Sequence, residues 1–339
     1  MLATVVPGLA PLVSGELGSH PAITVTGTGF DGRSDVVLFD VGRGHQEQVS
    51  KLRTVEDLFV EVGRTLRADG DRAHWIAGRI WRPRRVQCAL SVWAEEVRPL
   101  SASMTFRVIA RVLQERSFLR TELRRQVERA VTNDRPKWRV ADPSQIEIWV
   151  SEYVRGRLIA GIRLTDARMR QHKGRQVERP GALRPTVAAM MVALAGETNG
   201  ALLDPCCGSG TILGEALAAG WRAAGRDIDP EAVEISRANV PGAEVEVGDA
   251  RDIALRNASV AACVSNLPFG KQFTVQEDAV TWLEEVLAGM ARVTRPGGRI
   301  VLLRPEIPRT TVPRELRLRD RHRLRLLGTK TTLWVFERT

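Results

Sequence analysis

Asp204-Pro205-Cys206-Cys207-Gly208-Ser209-Gly210-Thr211, read together with Asn266-Leu267-Pro268-Phe269-Gly270 further along, decides the reading of this chain. A short apolar strand at 201–203 runs into the first stretch and a helix at 211–219 runs out of it, so the Gly-x-Gly lies at a strand-to-helix turn. Around it the pattern predicts a helix at 186–195 opening on Pro185, a strand at 222–227, a helix at 231–239 and strands at 245–247 and 260–264. A helix at 279–293 follows, stopped by Arg295-Pro296-Gly297-Gly298, then a strand at 299–303 and two strands at 324–327 and 331–336. Strands and helices alternating at this length predict a parallel, doubly wound α/β sheet, with the terminal hairpin antiparallel at one edge.

Three strand-ending aspartates give the Gly-x-Gly turn its chemistry. Asp204 can accept from an amino group, Asp227 can bind both ribose hydroxyls with Ile228 packed on adenine, and Asp249 can accept from the adenine amine. Alone, the glycines fit equally a plain tight turn or a nicotinamide-dinucleotide fingerprint completed loosely by Gly214. Asp204 would set a negative charge against a pyrophosphate, however, whereas it suits a cationic cofactor such as S-adenosylmethionine.

Asn266-Leu267-Pro268-Phe269 is the sharper signal. An exocyclic base amine is a poor nucleophile, and the Asn266 side-chain carbonyl with the Leu267 backbone carbonyl can accept its hydrogens and stabilise charge as a bond forms. Pro268 stiffens the turn, and Phe269 can stack on a base, a contact worth about 1–3 kcal/mol. The competing reading is an ordinary Asn-x-Pro turn with Phe269 in the core. Together the two stretches point to methyl transfer onto a base nitrogen.

Lys and Arg number 50 against 40 Asp and Glu, a formal charge of +10, which favours a polyanionic partner. Residues 201–250 hold three basic and nine acidic side chains, whereas 301–339 hold ten and four, so the basicity lies away from the cofactor turn. A second basic tract runs from Arg107 through Arg116, Arg120, Arg124, Arg125, Arg129, Lys137 and Arg139 to Arg184. Cys88, Cys206, Cys207 and Cys263 form no C-x-x-C pair, and His20, His45, His74, His172 and His322 show no ligand spacing. The expectation is therefore no metal, packed rather than nucleophilic thiols, and a reducing cytoplasm. No apolar run approaches the roughly 20 residues of a membrane span.

Before residue 179 the text changes. Pro7-Gly8 precedes a helix at 9–17, with strands near 23–25 and 36–41 and a helix near 55–66. A strand at 104–112, an Arg-rich helix at 121–131 and strands at 146–150 and 158–164 follow. These mixtures predict α+β domains, and the polar, basic stretch 165–179 reads as a linker.

The second half resembles the class I S-adenosylmethionine-dependent methyltransferases of the amino-methylating type, with Arg179-Pro180-Gly181-Ala182-Leu183-Arg184-Pro185-Thr186 matching the segment that helps enclose the cofactor in the branch acting on guanosine N2 in RNA. The first half resembles the THUMP-containing members of that branch. Phe106-Arg107-Val108, Arg116-Ser117-Phe118, Trp138-Arg139-Val140-Ala141-Asp142-Pro143 and Gly161-Ile162-Arg163-Leu164 carry the THUMP likeness, while Pro7-Gly8-Leu9 and Leu52-Arg53-Thr54-Val55-Glu56-Asp57 carry that of the ferredoxin-like segment before it.

The resemblance implies a Rossmann-like methyltransferase sheet behind an N-terminal α+β ferredoxin-like and THUMP module. The domain layout expected is 1–60 ferredoxin-like, 61–166 THUMP-like, 167–180 linker and 181–339 catalytic. It implies a cofactor set of Pro185, Thr186, Asp204, Cys206, Gly208, Ser209, Gly210, Asp227, Ile228, Asp249, Ala250 and Asn266 for S-adenosylmethionine. Asn266, Leu267, Pro268 and Phe269 would carry transfer, and Arg107, Arg116, Arg120, Arg124 and Lys271 would contact RNA. The activity implied is methylation of guanosine N2 in tRNA gripped by its acceptor end, with a flipped-out target. Ribosomal RNA, or an inactive RNA-binding protein of the same fold, is the alternative, and a monomer is the default assembly. Leu267, where the broader pattern has proline, is the main departure, and only its backbone carbonyl is needed.

Overall fold

The computed structural model describes residues 1–42, 44–66, 72–113, 117–165, 172, 177, 179, 181–268, 279–326 and 328–339, in two units, Met1–Met169 and Arg170–Thr339. Phe269, Lys271 and Arg116, and most of the 167–180 linker, lie outside the described residues.

The first unit is built on one eight-stranded sheet. Its strands are β1 (Leu2–Val5), β2 (Ile23–Phe30), β3 (Asp35–Val41), β4 (Asp57–Leu66), β5 (Thr105–Arg111), β6 (Arg139–Val140), β7 (Ile146–Val154) and β8 (Arg157–Arg163), in the order β2-β3-β1-β4-β8-β7-β5-β6. Its helices are α1 (Ala10–Gly18), the short α2 (Gln46–Ser50), α3 (Ala73–Ile80), α4 (Pro83–Glu96) and α5 (Arg120–Asp134).

One expectation fails here: the helix expected near 55–66 does not form, and 57–66 make the central strand β4. Phe59 pairs with Leu2 of β1 on one side and with Arg163 of β8 on the other. β4 is central, so its apolar side chains are wanted on both faces, and a bulge between Glu61 and Gly63 breaks the alternation. A side chain at Gly63 would meet the Ile80 carbonyl at 2.6 Å, so α3 rests directly on this strand. Neither α3 nor α4 has a counterpart among the elements expected from the sequence. α4 buries Val86, Ala89, Leu90 and Trp93, the i, i+3, i+4, i+7 stripe of an amphipathic helix. Together with α3 and with Leu123, Val127 and Val131 of α5, it forms the main core of this unit. Each fully buried aliphatic side chain there contributes about 1.5–3 kcal/mol.

The second unit is a seven-stranded sheet of β9 (Ala201–Asp204), β10 (Arg222–Asp227), β11 (Glu244–Val247), β12 (Val260–Asn266), β13 (Thr294–Arg304), β14 (Leu316–Leu326) and β15 (Thr329–Arg338). The order is β11-β10-β9-β12-β13-β15-β14, parallel through β13 and antiparallel in the closing hairpin. Its helices are α6 (Pro185–Leu194), α7 (Thr211–Ala218), α8 (Pro230–Asn239) and α9 (Ala279–Val293). The doubly wound sheet and edge hairpin expected from the pattern are what forms.

β13 begins five residues before the expected strand, because Thr294 already pairs with Val260. Arg295-Pro296-Gly297-Gly298 is thus an irregularity within the strand, with Gly297 at φ +74°. β9 and β12 are neighbours although the connection between them crosses β10 and β11, which makes their carboxyl ends the switch point of the sheet. Ligands of open α/β sheets bind at that crevice.

Candidate functional site

At the switch point lies a cavity of about 650 Å³ lined by the ends of β9, β10, β11 and β12, the 181–183 segment and Trp282 of α9. Asp204 ends β9 and is 1% exposed. Its Oδ1 accepts from the Cys206 N–H (3.1 Å) and the Ser265 hydroxyl (2.6 Å), leaving Oδ2 for a ligand. Burial, reinforced by the nearby Asp227 charge, pushes its pKa up to about 7, and the two hydrogen bonds only partly oppose this. A carboxylate so placed is short of positive charge, and an ammonium would supply it.

The turn after β9 needs its glycines. Gly208 and Gly210 adopt φ of +52° and +82°, and a Cβ at Gly210 would stand 2.5 Å from the Ser236 hydroxyl. The Gly208 N–H donates to Asp227 Oδ2 (2.8 Å) while the Asp229 N–H donates to Oδ1 (3.0 Å), so Asp227 ties the β9 turn to the β10 turn. Beside it Ile228 is 66% exposed, a bare apolar side chain at the cavity rim suited to a flat ring. The buried Ser209 offers its carbonyl to Asn239 Nδ2 (3.0 Å), which also holds the Val177 carbonyl (3.0 Å).

Asp249 lines the same cavity with Ala250, but its carboxylate already receives the Arg251 N–H (2.9 Å) and guanidinium (2.6 Å). The Arg251 contact holds its pKa below the ordinary value. Arg179 likewise engages Asp229 (2.5 Å) at the rim. Arg179 opens the segment expected to help enclose the cofactor, whereas Arg251 is not among the residues expected there, and both line the cavity.

Asn266 ends β12, and its Oδ1 is buried without a hydrogen-bond partner among the described residues. Such an atom costs about 1–3 kcal/mol unless something donates to it, and Asn266 faces the cavity. Pro268 lines the cavity too, whereas the Leu267 side chain is 1% exposed and packs in the core with α9, so only its backbone is open to a role. The Pro268 carbonyl accepts from Arg304 at the end of β13, whose Nε reaches the Glu306 carbonyl (3.2 Å). Burial lowers the pKa of Arg304. No motif or spacing singles out this arginine in the sequence.

Of the residues expected at the cofactor, Asp204, Cys206, Gly208, Ser209, Asp227, Ile228, Asp249, Ala250 and Asn266 all line the cavity. Gly210 shapes the turn behind it. Pro185 and the buried Thr186 open α6 without lining it, and Gly181, Ala182 and Leu183 stand there instead. The Cys206, Cys207 and Cys263 thiols are pushed up by burial and stay protonated, Cys263 to about 12. In the first unit Arg107 is held by Asp142 (2.7 Å) and Glu147 (2.6 Å), Arg124 pairs with Glu128 (3.5 Å), and Arg120 is exposed at the start of α5.

With this sheet order and cavity, the second unit has a Rossmann-like fold of the kind seen in methyltransferase structures. Residues 172–323 match the family model UPF0020, described as an RMKL-like methyltransferase domain. The chain is 33% identical over 156 residues to a tRNA (guanine(10)-N2)-dimethyltransferase of Methanothermobacter thermautotrophicus, covering 43% of this chain and 46% of that protein. It is 36% identical over 138 residues to the U6 snRNA (guanine-N(2))-methyltransferase THUMPD2 of Mus musculus, covering 37% of this chain and 24% of that one. The chain thus spans less than half the length of these curated relatives. Among solved structures, TrmN from Thermus thermophilus superposes with a TM-score of 0.78 at 24% identity, covering 100% of this chain and 99% of that one. SMU.472, complexed with SAH, gives 0.69 at 15% identity, covering 100% and 97%. Both likenesses concern the fold, and they extend through the N-terminal unit. No helix among the described residues is long and apolar enough to cross a membrane.

Proposed function

We propose that this chain transfers a methyl group from S-adenosylmethionine to the exocyclic N2 of a guanosine in tRNA. The observation that carries the reading is the buried Oδ1 of Asn266, without a partner among the described residues and facing the cavity that Asp204 also lines. When bound, S-adenosylmethionine supplies an electrophilic methyl on its sulfonium. Asp204 receives the ammonium, Asp227 the ribose hydroxyls and Ile228 one face of adenine. Asn266 Oδ1 and the Leu267 carbonyl accept the two amine hydrogens, which turns the nitrogen lone pair toward the methyl and shares the charge that builds on nitrogen. Phe269 stacks on the base, and solvent takes the released proton.

The guanosine-N2 assignment is supported by the names of the relatives above. The N-terminal unit acts as a ferredoxin-like and THUMP module holding the acceptor end of tRNA in the cytoplasm, with the chain a monomer, and the exposed arginines of α5 support this reading. Incubation with labelled S-adenosylmethionine and undermodified tRNA, followed by nucleoside analysis, is expected to yield N2-methylguanosine. Exclusive N6-methyladenosine would overturn the reaction, and label confined to ribosomal or small nuclear RNA would overturn the choice of tRNA.

A further inference from the structure

The edge strand β14 reads Leu316-Arg317-Leu318-Arg319-Asp320-Arg321-His322-Arg323-Leu324-Arg325-Leu326, and its five arginines are exposed. They fall into two groups. Arg317 and Arg319 share one acidic partner, Glu337 (3.2 and 3.3 Å). Arg321, Arg323 and Arg325, together with Lys330, have no acidic partner among the described residues. A bulge between Leu318 and Asp320 separates the groups, and beyond it Arg321 lies opposite Trp334, Arg323 opposite Thr332 and Arg325 opposite Lys330. Residues directly opposite in an antiparallel pair share a face, so these four cations stand on the face that carries Trp334, which packs against the core beneath α9.

The register places this row beside the cavity. Asn266 pairs with Leu303, Leu303 with Leu333 and Leu333 with His322, one line across four neighbouring strands. Arg323, Arg325 and Lys330 lie beyond that line, at the sheet edge where the strands bearing Asp204 and Asn266 end. Three strand spacings put β14 about 14 Å from β12, and cations two residues apart repeat every 7 Å or so, about twice the roughly 3.4 Å of axis per charge along one nucleic-acid strand.

Resting on the methyltransferase reading above, we propose that Arg321, Arg323, Arg325 and Lys330 form a phosphate track that holds the RNA backbone next to the nucleotide whose base enters the cavity. The bland alternative is that charge on an edge strand only deters edge-to-edge pairing. That role would be met as well by Arg317 and Arg319, yet among the described residues it is the β14 cations toward the cavity end that are left without acids.

The test is the full chain carrying Arg321→Gln, Arg323→Gln and Arg325→Gln together, with Arg317→Gln/Arg319→Gln as the control and unmodified tRNA transcript as probe. The triple variant is expected to raise KM for RNA about tenfold or more and to flatten the dependence of log binding constant on log salt by about 2–3, each of the three lost contacts removing roughly 0.7–0.9. S-adenosylmethionine affinity should stay within about twofold, and the control should keep the wild-type salt slope. A triple variant with wild-type KM and slope overturns the track, as does self-association with an unchanged slope, which assigns the arginines to edge protection. Binding is measured apart from methylation: wild type that binds tRNA but methylates no guanosine sinks the reaction while the slope still judges the track.

Discussion

The two sides of the crevice are finished to different degrees. On the β9–β10 side, carboxylates are tied in before any ligand arrives: Asp204 by Cys206 and Ser265, Asp227 by Gly208 and Asp229. On the β12 side, Asn266 Oδ1 is buried with no hydrogen-bond partner among the described residues. A side that binds a cofactor gains from rigid, satisfied geometry, which lowers the ordering cost of binding. A side that stabilises charge only as a bond forms gains from an acceptor kept empty until then. The difference separates binding from transfer, and it can be attacked from either side.

Asn266→Ala should give the largest effect. Loss of one preorganised acceptor lowers kcat about 10²–10³-fold, while calorimetry should find S-adenosylmethionine affinity within a few-fold of wild type. An equal loss in both would place Asn266 on the binding side and erase the contrast. Asp204→Asn should do the reverse: removing a charged hydrogen bond worth about 1.5–3 kcal/mol weakens cofactor binding roughly 10–100-fold, with a much smaller change in kcat at saturation.

The pH dependence of binding sharpens the same point. Asp204 is held protonated up to about pH 7 by burial, and a cationic ligand needs its carboxylate. Affinity should therefore rise with pH, about tenfold per unit below 7, and level off above it. The unliganded fold responds with the opposite sign. The folded pKa is raised, so the folded chain binds the proton more tightly than the unfolded one, and stability from this group is lost as pH climbs from about 4 through 7. Asp204→Asn should flatten both profiles, and an affinity profile that stays pH-dependent in that variant would assign the titration elsewhere.

The same contrast explains what could be read in the sequence. Strand-end polar residues at 204, 227, 249 and 266 were legible because parallel strands must present their ligand groups at their carboxyl ends, and all four line one cavity. β4 escapes for a definite reason: Val55, Leu58, Phe59, Val62 and Leu66 fall at helical spacing. A strand buried on both faces and reset by a bulge can mimic that period. The Asp249–Arg251 pair and the Arg179–Asp229 pair were invisible because a surface arginine and a cavity arginine look alike until the turns are folded.

Arg304 is the least legible residue and gives the smallest predicted effect. It sits in β13 one place past Leu303, the residue opposite Asn266, and its guanidinium donates to the Pro268 carbonyl. It thereby fixes the turn in which the Leu267 carbonyl lies, acting on the reaction only through that turn. Arg304→Gln should lower kcat about tenfold, the worth of one hydrogen bond from a charged donor, leaving cofactor affinity unchanged. Arg304→Lys can still reach a single carbonyl and should recover part of the loss, because Lys offers a point charge without the second arm that now meets Glu306. A variant that melts earlier yet turns over at the wild-type rate would make Arg304 a packing residue only. The β12 side would then owe its geometry to Pro268 and the strand alone.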